Sequence, residues 1–530
     1  MKRKVRVGNN PVIQNNYRAW ALIVALGGFL FGFDATVISG AIGFVTREFG
    51  LSAWQIGLVV AAPTLLGIPA SITVSTLADR FGRKPVLILL AVLYTLSALC
   101  AAYSTSFWML VAARAVGGYA FGSLGLAPIY ISEVAPAEGR GRLVSFNQLN
   151  IVIGFSAAYF GNYLILSLSQ SGAPWVADLG LDVHAWRYML GIQVVPAVLW
   201  LVMLFKIPES PRWLVLRGRI DEARAVFNRY LPRAESDRLV TEVGKQEPMR
   251  PLLKRVAALG LGKYRFVLIV GITLAIAQQI TGINAVYFYA PSIFEQSGVG
   301  TNAAFAQAIM IGVVNIVFTL FAMALIDRVG RRPLLIVGTI CITLSMAVLA
   351  YGFSQARYEL VPAYATELAQ KTGSPGVKAL IGRTFDSDVA FKNALGETLT
   401  PAQMSEHEAT ILQRSTTLNP TLILIAILGF VASFAFSLGP VMWVMLPEIY
   451  PNAIRGVAMA AVGAINSVVS FAVQMSFPIQ VANFGSAGTF ATYAAAGVVF
   501  TILILWLVPE TKGKSLEELE SELTGPGAVA

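Results

Sequence analysis

The sequence predicts an all-α membrane protein of twelve transmembrane helices arranged as two six-helix bundles, and three observations predict it. The 530 residues are 56% hydrophobic and only 13% charged. That is too little charge to cover the surface of a soluble protein of this size. Twelve apolar runs are each long enough to cross a bilayer as a helix. Three charged motifs of the first half then recur in the same order in the second.

The first six runs fall near 19–41, 54–77, 86–103, 107–132, 143–168 and 186–207, and the second six near 264–294, 303–326, 334–353, 419–447, 457–483 and 488–508. The first is too long for a signal-peptide core, so no cleavable leader is expected. Cys100 and Cys341 lie inside runs, which argues against disulfides. Lys and Arg concentrate in alternate inter-run segments, leaving Arg47, Arg187 and the basic residues of one long loop on the other side. By the positive-inside rule both termini are cytoplasmic. The net charge of +10 is thereby explained by topology, without a nucleic-acid partner.

The expected division is a bundle over 1–207, a helical linker over 208–263, a bundle over 264–510 carrying an external insert at 354–418, and a tail over 511–530. The repeats support it. Asp79-Arg80-Phe81-Gly82-Arg83-Lys84 returns as Asp327-Arg328-Val329-Gly330-Arg331-Arg332. Glu133 with Arg140-Gly141 returns as Glu448 with Arg455-Gly456, and Pro208-Glu209-Ser210 returns as Pro509-Glu510-Thr511. All six fall on the cytoplasmic side of the predicted topology. Acids and arginines paired twice over predict a salt-bridge network there that ties the bundles together and rearranges with transport state, made of Asp79, Arg83, Glu133, Arg140, Glu209, Asp327, Arg331, Glu448, Arg455 and Glu510.

Inside the spans, two charges stand out. Asp34 lies in the first run with no compensating charge within a turn or two, and Arg114 lies in the fourth. A charge in such a place costs a few kcal/mol, about 2.5–3.5 on insertion scales, so it faces a cavity or a partner. Both sit roughly 10 Å beneath the external face, at 1.5 Å rise per residue. Equal depth and opposite sign suit an ion pair. Gly117, Gly118, Gly122 and Gly125 in the same run suit close helix packing; no strand precedes them, so they are not a nucleotide loop.

Neutral amides form the other pattern. The fifth run opens with Ser145, Asn147, Gln148 and Asn150, and the seventh holds Gln278-Gln279-Ile280-Thr281-Gly282-Ile283-Asn284 followed by Tyr287, Tyr289 and Pro291. Amides offer donors and acceptors without charge, which suits a neutral polyhydroxylated ligand. Asn315 in the eighth run and Asn466 and Gln474 in the eleventh extend the pattern. The tenth run is expected to break at Gly439-Pro440, and Trp443 beyond it suits either a sugar-stacking floor or an interfacial anchor. In the insert, helices are expected over Arg357–Lys371 and Pro401–Arg414. His184 and His407 are isolated, so no metal site is expected. No nucleophile–base constellation or cofactor motif appears, so neither an enzyme nor a cofactor is expected.

These motifs together resemble the sugar porter family of the major facilitator superfamily, over nearly all of the chain except 354–418. The resemblance rests on Asp79–Lys84, Glu133 with Arg140-Gly141, Pro208-Glu209-Ser210-Pro211-Arg212, Gln278–Asn284, Asp327–Arg332, Gly439-Pro440 with Trp443, and Pro509-Glu510-Thr511-Lys512-Gly513. It implies a central sugar site on Gln148, Gln278, Gln279, Asn284, Asn315, Trp443 and Asn466. It also implies proton coupling through Asp34 and Arg114, since proton-coupled members carry an acid and an arginine at these places. Two departures stand out. A tryptophan often follows the last amide, where this chain has Ser467, and some symporters add a buried glutamate where this chain has Gln193. The implied function is import of a monosaccharide with a proton by alternating access, by a monomer in the lipid bilayer of a plasma membrane, expected to be a bacterial inner membrane. A facilitator without coupling and a non-transporting sugar sensor are the rivals.

Overall fold

In a computed structural model, residues 11–244, 262–451 and 454–524 are described. The linker residues 245–261 and the last tail residues lie outside them.

Most of the apolar runs become helices that overshoot their expected ends, because a helix continues past its first charged residue to its cap, whereas the run expected to reach 207 stops at Leu204. Span 1 is Pro11–Phe49, span 2 Ala53–Phe81 and span 3 Arg83–Ala102. Span 4 runs from Phe107 to Val134 through a 3-10 turn at Ala120–Gly122. Span 5 is Ala137–Ser169, and span 6 is Ala185–Leu204, interrupted between Gly191 and Val194. Span 7 covers Gly262–Gln296, span 8 Thr301–Val329, span 9 Arg331–Ser354 and span 10 Pro420–Ile449. The last apolar helix, Arg455–Leu507, has 53 residues. At 1.5 Å per residue it would reach about 80 Å, far beyond a hydrocarbon core of about 30 Å. Its non-helical residue Gly485 (φ 70°, ψ 175°) divides it into two limbs, called spans 11 and 12 below.

Breaks within spans have local causes. Pro440 has no N–H to give to the carbonyl of Phe436, and its ring crowds that carbonyl. The helix therefore ends at Phe436 and restarts at Leu438, with Ser437 (φ −126°, ψ −101°) between them. The expected break at Gly439-Pro440 thus falls just upstream, and these residues open the second limb, where a missing N–H costs nothing. In span 7 the helix Arg265–Ile280 gives way to Ile283–Gln296 at Gly282 (φ 92°), and Tyr289 (φ −119°, ψ 15°) kinks the second piece just before Pro291.

Spans 1 and 5 are the closest pair in the first half. A side chain at Gly32 would meet the Ile151 carbonyl and one at Gly154 would meet the Phe29 carbonyl, so only glycine lets these backbones touch. Across the halves, span 2 packs along span 11 and span 5 along span 8. One apolar core runs through both halves and a second fills the end of the first half beneath the linker helices Pro211–Leu216, Ile220–Phe227 and Arg233–Gly244.

The insert follows span 9, so it lies at the end opposite the repeated motifs. It is a small folded unit with its own apolar core around Leu360, Phe391 and Ile411. Strands β1 (Arg357–Glu359), β2 (Thr384–Phe385) and β3 (Thr416–Thr417) pair in the order β2-β1-β3. The helix expected over Arg357–Lys371 starts only at Pro362, because Arg357–Glu359 is taken by β1. The helix Pro401–Ser415 has a Thr400/Gln403 capping box, and a further helix, Asp388–Gly396, went unanticipated.

Candidate functional site

The amides of spans 7 and 11 meet in one buried network. Gln278 donates to the carbonyls of Leu438 (3.1 Å) and Gly439 (3.4 Å), where span 10 restarts. Gln279 donates to Asn466 Oδ1 (3.1 Å), and Asn466 donates back to Gln278 Oε1 (2.9 Å) and to the Ala275 carbonyl (3.0 Å). Asn284 Nδ2 lies 2.6 Å from both Gln279 Oε1 and Ser470 Oγ, and Gln474 donates to the same Ser470 hydroxyl at 2.8 Å. Gln474 Oε1 in turn accepts from Thr64 in the first half (3.1 Å). Such a network can exchange its internal bonds for those of a bound hydroxyl without leaving charge exposed.

The other expected residues stand apart from it. Asn315 is buried on span 8 and Gln148 half-buried on span 5, and neither bonds to the network. Trp443 is 40% exposed on the second limb of span 10. Ser470 and Thr64 were not anticipated. Ser470 was within reach of a sequence argument, since Asn466, Ser470 and Gln474 are spaced four apart on one helix face.

Asp34 and Arg114 are each only 2% exposed, on spans 1 and 4. They lie close enough for their charges to interact, and Gln193 sits beside Asp34. The expected ion pair is not closed: among the described residues no guanidinium nitrogen of Arg114 lies within 4 Å of a carboxylate oxygen of Asp34, Arg114 Nε donates to the Val59 carbonyl at 3.0 Å, and Asp34 Oδ2 has no hydrogen-bond partner. Gly117 keeps the space next to Asp34 Oδ1 free of a side chain. The repeated motifs lie elsewhere, at the helix ends opposite the insert.

Those motifs build the same device twice. In the first half Arg83 grips Glu133 with two bonds (3.0 and 2.9 Å) and pairs with Asp79 (3.0 Å), while Glu209 accepts the backbone N–H of Arg83 (2.9 Å) and of Lys84. In the second, Arg331 pairs with Glu448 (2.9 Å) and Asp327 (3.1 Å), and Glu510 accepts the N–H groups of Arg331 and Arg332 (3.1 Å each). Each glutamate caps a helix start, where four N–H groups lack partners and the dipole favours a negative charge. Arg455 donates to the Tyr450 carbonyl (3.1 Å), and the Arg140 side chain lies outside the described residues. The pairs close within their own halves, so the expected tie between the bundles is not made by them in this geometry. Burial raises the Glu209 carboxyl above its usual range, against the opposing N–H bonds from Ser210, Lys84 and Arg83. At Glu510 burial acts in the same direction, but the N–H groups of Lys512, Arg331, Arg332 and Thr511 together hold the carboxyl below its usual range.

Comparison with known proteins agrees with this architecture. The family model described as sugar (and other) transporter matches residues 20–369 and 401–523, leaving only 370–400 of the interior unmatched. The arabinose-proton symporter of Bacillus subtilis is 31% identical, over 97% of this chain and 97% of its own length. The D-xylose-proton symporter of Escherichia coli K12 is 32% identical, over 94% of each. An inward-open structure of the xylose transporter XylE from E. coli superposes with a TM-score of 0.70 at 29% identity, covering 95% of this chain and 99% of that one. Two halves with repeated motifs, paired charged turns and an amide network between spans 7, 10 and 11 therefore go with whole-length similarity to sugar transporters and not to enzymes: the chain belongs to the sugar porter family of the major facilitator superfamily, as a multi-pass sugar transporter.

Proposed function

We propose that this chain imports a monosaccharide together with a proton, by alternating access. The observation that carries the proposal is Asp34: a buried carboxylate with one oxygen unpartnered, within electrostatic reach of Arg114 but not bonded to it. A carboxylate held this way takes up or loses a proton according to how near the guanidinium stands, so its proton occupancy is tied to the arrangement of the helices around it. Gln193 beside it is neutral, so the coupling rests on one acid. The amide network of Gln278, Gln279, Asn284 and Asn466 supports the sugar assignment, with Gln148, Asn315 and Trp443 closing on the ligand when the halves rock together. Named relatives that are arabinose- and D-xylose-proton symporters support it further.

In this reading the motif face is cytoplasmic, with both termini, and the insert is external, in a cell membrane. The units are the two bundles 1–207 and 264–510, the linker 208–263 and the tail 511–530, and the working form is a monomer. The charged pairs of the motif face act as a cytoplasmic gate network that changes with state. The rival is a facilitator in which Asp34 and Arg114 are structural; the open gap between them favours a group that titrates over a permanent pair.

The test is Asp34→Asn in proteoliposomes, with a panel of labelled glucose, xylose, galactose, arabinose and inositol at two pH values defining the substrate. The variant is expected to lose accumulation driven by a pH gradient, by at least about tenfold, while sugar exchange between the two sides persists. Concentrative uptake at the wild-type level, with normal alkalinisation outside, sinks the coupling proposal.

A further inference from the structure

A cavity of about 410 Å³ lies on the insert face, between helix ends of both halves and the insert. Its size falls within the roughly 300–1,000 Å³ of small-molecule sites. Its floor is aromatic: Tyr289 and Phe477 line it, with ring centroids 4.9 Å apart. Its walls come from both halves and from the insert, and they are strongly polar. Arg47 of span 1 and Glu295 of span 7 face it from the two halves, and Lys392, Asn393 and Glu408 face it from the insert.

Several of these groups already have partners within the protein: Glu295 is hydrogen-bonded to Thr301 at the start of span 8. Asp388 also borders the cavity but is an anchor: it accepts from the Ser486 backbone (3.1 Å) and hydroxyl (3.2 Å), fixing the insert to the start of span 12. Lys392 and Glu408 pair at 2.6 Å. Arg47 donates to the Gly43 carbonyl of its own helix (3.3 Å), lies over Phe44, and stands within electrostatic reach of Glu295 and Glu408. Ser39 lines the cavity, is 2% exposed, and its buried hydroxyl has no hydrogen-bond partner among the described residues, the kind of polar group a small turn of the side chain would free for a ligand. Asp388, Lys392 and Asn393 all fall in 370–400, the interior stretch that the family model does not match, so this wall lies outside the part of the chain that the family model describes.

We infer that this cavity is a second sugar site, a vestibule where a neutral monosaccharide rests on its way to the amide network, with the insert supplying part of its selectivity. The inference builds on the transport reading above. A pyranose has an apolar face for the Tyr289/Phe477 floor and hydroxyls that both donate to carboxylates and accept from Arg47, Lys392 and Ser39. A sugar acid is disfavoured, because three carboxylates border the cavity against two cations.

The experiment uses the full-length protein in detergent and in proteoliposomes, with tritiated D-xylose and D-glucose as probes. Wild type is expected to bind the transported sugar in two components, tight and weak. The double variant Ser39→Ala/Asn393→Ala should lose the weak component and raise the KM for uptake from the insert face about 3- to 10-fold, with kcat within about twofold. Lys392→Gln, a second variant on a half-exposed side chain, should shift KM in the same direction should the double variant fail to elute as a folded monomer. Gln279→Ala should do the converse, abolishing transport while leaving the weak component. A single component in wild type, with uptake KM unchanged in the vestibule variants, overturns the second site and leaves sugar transport standing. Failure of wild type to bind or carry either sugar removes the vestibular assignment for both, and failure with every sugar of the panel removes the transport reading itself.

Discussion

Glu209 and Glu510 occupy equivalent places in the two halves, yet their surroundings push them in opposite directions. Burial lifts the Glu209 carboxyl above its usual range, whereas at Glu510 four backbone N–H groups outweigh burial and hold the carboxyl down. A carboxylate with a lowered value in the folded protein contributes stability above its unfolded value near 4.5, and that contribution fades as pH falls through the folded value. A raised one does the reverse: its contribution is present below the unfolded value and is lost as pH rises through the folded value. At pH 7, Glu510→Gln should therefore cost more than Glu209→Gln, by something of order 1 kcal/mol because solvent screens both sites. Thermal unfolding of the two variants in detergent at pH 7 and pH 4 checks this. The Glu510→Gln deficit should shrink at the lower pH, and an equal or reversed order at pH 7 refutes the assignment.

At the scale of elements, breaks decide more than lengths. Gly485 has φ 70° and ψ 175°, a region essentially open only to glycine, and a Cβ there would also strike the Asp388 carboxylate. Gly485→Ala should thus cost about 1–3 kcal/mol in backbone strain alone and loosen the insert at its anchor. Limited proteolysis should then cut the insert several-fold faster, while sugar binding at the central network stays near wild type. Unchanged proteolysis would mean that the insert is held elsewhere. The same scale shows what a reader of the sequence sees and misses. Twelve hydrophobic runs are visible because the bilayer demands them, and the 484–487 gap in hydrophobicity marks the Gly485 turn. The break in span 10 is misplaced by a few residues, because a proline acts on the carbonyl four residues before it and not on its own position. Within the insert, strands of two or three residues leave no periodicity to detect. The amides of span 7 announce themselves by density, but Ser470 and Thr64 join the network only through packing between helices distant in sequence.

At the scale of the whole molecule, the two halves are joined through neutral hydrogen bonds, while the charged pairs of the motif face close within each half. Gln170 accepts from Asn302 (2.8 Å), Gln474 from Thr64 (3.1 Å), and Tyr159 donates to the Tyr287 carbonyl at 2.6 Å. The last of these has a specific origin. Pro291 lacks the N–H that would bond the Tyr287 carbonyl within the helix, so that carbonyl is left for a partner, and the partner comes from the other half. In the proposed transport cycle, opening toward the insert face would break this bond and let water take over both groups, so the bond would stabilise only the arrangement seen here. Tyr159→Phe removes the donor and leaves a buried carbonyl unpartnered in the closed state alone. A net bond is worth about 0.5–1.5 kcal/mol, so the population should shift toward opening on the insert face by roughly 2- to 10-fold. A reporter for this is Ser292→Cys, which lines the cavity, in a background with Cys100 and Cys341 replaced by serine. Its modification by a membrane-impermeant thiol reagent should accelerate by that factor when Tyr159→Phe is added. Thr64→Val should act in the same direction through an independent bond. Acceleration by neither would show that apolar packing between the halves, and not these bonds, sets which face is open at rest.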